Sequence, residues 1–155
     1  MPDKDLDERL IKEWFQKWKT ILETGYIDGH KSCDFQRLEA AAYLGFRPNH
    51  PQVAKTKRWL KRLARKPSEL SQAFWFLTTE HFGAEDDYLT MSSYHAMLHG
   101  IKRFLKATDL YKIKGIKKCF NDMYKSMYFC WIPKRDRKKY KKCMHIWHLL
   151  ADAED

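Results

Sequence analysis

Apolar residues recur at spacings of three and four along almost the whole chain, and the strict alternation that suits a half-buried strand is scarce. Leu6, Leu10, Ile11, Trp14, Phe15, Trp18, Ile21 and Leu22 share one side of a first helix that should end near Gly25. After a loop with Gly25, Asp28 and Gly29, a second helix is expected to start after Ser32 or Asp34 and to stop at Gly45. Arg47, Pro48, Asn49, His50 and Pro51 read as a turn, because proline disfavours helical geometry in the residue before it. A third helix, over about 51–66, puts Val53, Thr56, Leu60, Leu63 and Ala64 on one side and Lys55, Arg58, Arg62 and Arg65 on the other. Pro67 and Ser68 should end it and cap a fourth, about 69–82, whose Leu70, Phe74, Trp75, Leu77 and Phe82 mark it as central to the core. Beyond an acidic turn at 83–87, further helices are predicted at about 91–107 and 114–132, the latter with a stripe of Ile116, Phe120, Met123, Met127 and Cys130. Pro133 then precedes a last helix over 135–151. The expected fold is all-α: a single compact domain of six or seven helices across residues 1–155.

Charge narrows the function. The chain of 155 residues carries a net charge of +10, which favours polyanionic partners through long-range attraction before any specific contact forms. The charge is unevenly placed, with 6 basic and 7 acidic side chains in residues 1–33 but 15 and 6 in residues 91–155. One end is thus suited to a polyanion and the other to packing or a protein partner. A basic flank followed by an apolar stretch is missing from the N-terminus, and no run of about 18 apolar residues occurs, so the expectation is a cytoplasmic protein with no membrane partner.

Between Arg47 and Lys66 stand eight cations, Arg47, Lys55, Lys57, Arg58, Lys61, Arg62, Arg65 and Lys66, without one acidic residue. Arg58 and Arg62 lie one helical turn apart, so both can face a groove, and the rigid guanidinium fork suits phosphates and guanine edges. The run Glu39-Ala40-Ala41-Ala42-Tyr43-Leu44-Gly45-Phe46, followed by Arg58-Trp59-Leu60-Lys61-Arg62-Leu63, resembles a helix-turn-helix module of the excisionase-like kind. In the resemblance, small residues allow close helix contact, glycine permits the turn, and the second helix enters the major groove. The connection at 47–52 is longer than the compact turn of that family. A helical hairpin with a solvated basic face fits the same residues.

A second basic block contains Lys134, Arg135, Arg137, Lys138, Lys139, Lys141 and Lys142, flanked by Tyr124, Tyr128, Phe129, Trp131 and Trp147. Aromatic rings beside cations suit single-strand or RNA binding. Rings at helical spacing are more often core, so the block is read as a phosphate clamp and the rings as packing.

Other constellations are thinner. His95 with His99, and His145 with His148 near Cys143, have the spacing of paired helical ligands but lack the remaining ligands of a zinc site. Glu80-His81 and Glu85-Asp86-Asp87 offer acid/base or divalent-ion chemistry of a metal-dependent nuclease, against the simpler reading of solvated turn residues. Cys33, Cys119, Cys130 and Cys143 are expected to be buried reduced thiols. The sequence therefore points to a non-enzymatic, cofactor-free regulator that contacts nucleic acid, DNA before RNA, through Arg47, Lys55, Lys57, Arg58, Lys61, Arg62 and Arg65, with Lys134, Arg135, Arg137, Lys138, Lys139 and Lys142 in support. A protein-interaction module, an inhibitor or adaptor that lays its basic surface on an acidic partner, is the rival reading, and an RNA-binding factor is a third; a homodimer is also compatible.

Overall fold

A computed structural model describes residues 4–80 and 88–126. Its elements run α1 (Lys4–Thr24), β1 (Tyr26–Ile27), β2 (His30–Lys31), α2 (Asp34–Gly45), α3 (Val53–Leu63), α4 (Pro67–Glu80), α5 (Tyr88–Ala107), a 3-10 turn (Leu110–Lys112) and α6 (Lys114–Tyr124). The fold is all-α, with one minimal hairpin among the described residues. Residues 127–155, including the expected final helix, and the acidic turn at 83–87 lie outside the described residues.

Gly25 ends α1 as expected: its φ is +78°, and its N–H donates to the Ile21 carbonyl at 2.9 Å. The segment after it is a hairpin rather than a plain loop. Asp28 and Gly29 both have positive φ, 50° and 78°, which is the two-residue turn whose twist matches paired strands, and Ile27 faces His30 across it. Both the backbone N–H and the hydroxyl of Ser32 donate to the Gly25 carbonyl at 2.9 Å, tying the ends together. The next residue, Cys33, is the N-cap of α2 and donates its N–H to the Gln36 side-chain oxygen at 2.8 Å.

The central element is α2, and this corrects the expectation that α4 would be. Every residue from Leu38 to Gly45 is buried, among them Glu39, whose carboxylate lies 3.7 Å from the Lys17 ammonium. Small side chains make that position accessible. Gly45 and Gly100 bring α2 and α5 into backbone contact: a Cβ on Gly45 would overlap the Gly100 carbonyl, and one on Gly100 would come within 2.5 Å of the Ala42 carbonyl oxygen. α1 contributes Phe15, Trp18, Ile21 and Leu22 to the core, with Phe15 edge-on to Tyr43 at 5.0 Å between ring centroids.

α4 starts directly at Pro67, whose missing N–H costs nothing at a first helical position. It buries Leu70, Ala73, Phe74, Leu77 and Thr78, a single face at spacings of three and four. Trp75 falls off that face and is 62% exposed, and Phe76 is also exposed, so Trp75 is not the core residue its size suggests. On α6, Ile116, Phe120 and Met123 are buried as the stripe requires; Met127 and Cys130 lie outside the described residues.

Candidate nucleic-acid interface

The face of α3 follows from its period. Thr56, Leu60 and Leu63 are buried, with Val53 and Ala64 half-buried beside them. At 3.6 residues per turn the opposite arc carries Lys55, Arg58, Lys61 and Arg62, all exposed, with exposed Arg65 in the turn after the helix, while Lys57 sits half-buried at the flank. Among the described residues none of these six cations forms an ion pair with a carboxylate. Lys66 differs, lying 3.7 Å from Glu69.

Arg47 stands apart from this row. It is half-buried in the connection between α2 and α3, and its guanidinium donates to the Tyr43 hydroxyl at 3.4 Å. That connection is ordered by its own bonds. The His50 N–H donates to the Arg47 carbonyl at 3.0 Å, the Gln52 N–H to His50 Nδ1 at 3.1 Å, and the His50 ring meets Tyr43 edge-on at 5.5 Å.

Trp59 borders the basic arc and is half-buried, with the Arg37 guanidinium 5.6 Å from its ring centroid. Two clefts meet at this ring. One, of about 60 Å³, is lined by Ile21, Arg37, Lys55, Thr56 and Arg62 as well as Trp59. The other, about 430 Å³ and more open, runs past Arg62, Arg65 and Lys66 toward Asp34 and Glu69. Arg37 was not among the residues expected at the interface. It lies on another helix, 22 positions earlier in the chain than Trp59, and no local pattern links the two.

Lys134, Arg135, Arg137, Lys138, Lys139 and Lys142 lie outside the described residues, as do His81, Glu85, Asp86, Asp87, His145, His148, Cys130 and Cys143. Among the described residues no three His, Cys, Asp or Glu side chains are grouped as metal ligands. His99 meets the Tyr124 ring edge-on at 6.1 Å. The expectation of buried thiols fails at Cys33, which is exposed because it caps α2 at the surface. Cys119 is half-buried; burial pushes its thiol pKa up, the Asp122 carboxylate adds to the rise, and Lys118 partly offsets it. No described helix is long and apolar enough to cross a membrane. Searches of family models, curated proteins and solved structures find no match to this chain.

Proposed function

We propose that the chain is a small regulatory protein that binds nucleic acid, duplex DNA in preference to RNA, by laying the exposed face of α3 against the phosphate backbone and the major groove. The observation that carries this reading is the row Lys55, Arg58, Lys61 and Arg62, exposed on one side of a helix whose other side is buried, with exposed Arg65 in the turn that follows. Lys55 and Arg62 are separated by about 10 Å along the axis at a rise of about 1.5 Å per residue, a length over which more than one phosphate can be met. A duplex major groove about 12 Å wide admits a helix. Cations left without carboxylate partners keep their charge available for counterion release, the main source of sequence-independent affinity.

The reading rests on the charge of α3 and not on the excisionase-like turn. In that resemblance the small residues of α2 would bring the second helix close, whereas Ala42 and Gly45 here meet Gly100 of α5.

The test is a fluorescence-anisotropy titration of labelled duplex DNA with Arg58→Ala/Arg62→Ala and, separately, Lys138→Ala/Lys139→Ala. Loss of Arg58 and Arg62 should weaken binding and relax sequence preference, a good bidentate base contact being worth about 1–3 kcal/mol of discrimination. Loss of Lys138 and Lys139 should weaken binding evenly across sequences. If both variants stay folded by circular dichroism and keep full affinity, the reading fails and the protein-interaction alternative replaces it.

A further inference from the structure

A second cationic surface lies where α5 gives way to α6. From Lys102 to Lys118 the chain carries seven basic residues and one acidic residue, as many cations as lie between Val53 and Lys66. Two of the seven are engaged locally, Lys112 with Asp109 at 3.5 Å and Lys118 with Asp122 at 3.3 Å. Arg103 is turned toward α2, its Nε donating to the Gly45 carbonyl at 3.0 Å and its guanidinium lying 5.7 Å from the Phe46 ring. That leaves Lys102, Lys106, Lys114 and Lys117 without a carboxylate partner among the described residues.

Three of these four are held by aromatic rings. Lys106 from α5 and Lys117 from α6 both approach Tyr111, with Nζ at 5.7 Å and 5.4 Å from the ring centroid, and Lys102 lies 5.6 Å from the Tyr124 ring. The rings form a row through Phe120, whose centroid is 6.2 Å from Tyr111 and 5.8 Å from Tyr124. The row is fixed below by the burial of Phe120 and at its rim by the Tyr111 hydroxyl, which donates to Asn121 Oδ1 at 2.9 Å. Lysines on an open surface ordinarily sample many rotamers; here the ring faces of Tyr111 and Tyr124 draw three ammonium groups toward them. Lys106 and Lys117 are then at most about 11 Å apart.

We propose that this corner, formed by Lys102, Lys106 and Lys117 around Tyr111 and Tyr124, with exposed Lys114 at the start of α6, is a second binding site for the sugar-phosphate backbone of nucleic acid. The proposal shares the ligand class of the α3 reading and rests on it for that class, but uses none of its residues. A string of phosphates suits the corner better than a single anion. The cations follow a row of rings and do not converge on a pocket, and Lys102 and Lys106 repeat along α5 at about 6 Å, one helical turn. Backbone binding there releases further counterions and extends the footprint beyond α3.

The experiment measures duplex-DNA affinity of the full chain by anisotropy over a series of salt concentrations, for the wild type, Lys106→Gln/Lys117→Gln, Lys106→Arg/Lys117→Arg and Arg58→Gln/Arg62→Gln. Each phosphate contact contributes about 0.9 to the magnitude of the slope of log Kobs against log salt, so the Lys106→Gln/Lys117→Gln slope should fall by about 1.8 and the arginine pair should restore it. All variants should stay folded, as judged by circular dichroism, since the substituted side chains are exposed. An unchanged slope in Lys106→Gln/Lys117→Gln, with a reduced one in Arg58→Gln/Arg62→Gln, overturns this proposal and leaves the α3 reading standing. The reverse pattern sinks the α3 reading alone. Wild-type protein that binds no duplex overturns both.

Discussion

Gly45→Ala tests the helix contact on which the fold is centred. The substitution adds one methyl group at a helical position, where alanine is favoured over glycine by about 1 kcal/mol on propensity alone. Its Cβ, however, would lie well inside van der Waals contact with the Gly100 carbonyl, and its next neighbours are also Gly100 backbone atoms. A backbone carbonyl within a helix cannot rotate aside, so α2 and α5 would have to separate along a seam that buries Ala42, Leu38, Ala96 and Met97 nearby. Overpacking against side chains costs about 1–3 kcal/mol, and the backbone contact places this site at or above the upper end of that range. The net expectation is a loss of roughly 2 kcal/mol, a fall in Tm of about 4–8 °C for a chain of this size. Gly115→Ala supplies the control. There the new methyl would meet only Leu70 Cδ2 at 3.6 Å, ordinary contact, so the same exchange should stabilise by roughly 0.5–1 kcal/mol. Differential scanning calorimetry of both variants decides the matter, and a Gly45→Ala protein that melts at or above the wild-type temperature would refute the reasoning.

Three further outcomes are expected. Leu60→Ala, which truncates a fully buried side chain on α3, should lower stability by roughly 2–5 kcal/mol in urea unfolding, and an unchanged midpoint would mean that this face of α3 is not packed. Alkylation followed by peptide mass spectrometry near pH 8 should label Cys33 well before Cys119, because the raised pKa of Cys119 reduces its thiolate fraction and half-burial reduces access; equal rates would contradict that order. Arg103→Ala should cost roughly 1–2 kcal/mol through loss of a charge-assisted bond to the carbonyl that ends α2, read as a lower Tm.

The all-α fold and the amphipathic face of α3 were legible because both are written in local spacing. Thr56, Leu60 and Leu63 recur at helical intervals, and no tertiary information is needed to place Arg58 and Arg62 opposite them. The identity of the central helix was not legible. α4 has the larger apolar side chains, but burial on all sides requires that neighbours come close, and the alanines and glycine of α2 allow this where Trp75 does not. The hairpin was missed although Asp28-Gly29 is a strong signal for it, since strands of two residues leave no alternation to detect. The cations at 102–118 make no legible stripe for a related reason. They are interleaved with core residues across a break between helices, and only the folded corner gathers Lys106 and Lys117 at one ring. Arg37 on Trp59 is the same kind of case, a contact made by packing alone.

The exposed arc of α3 has a consequence for protease digestion. Lys55, Lys57, Arg58, Lys61, Arg62 and Arg65 are six trypsin sites within eleven residues, and a protease needs an extended backbone that an intact helix withholds. Only Thr56, Leu60 and Leu63 on α3 are buried, so this segment can open without taking apart the contact between α2 and α5. Among the described residues, early tryptic cuts should therefore fall in α3 and the turn after it, and when reclosing is fast compared with cleavage their rate reports the free energy of that local opening rather than of global unfolding.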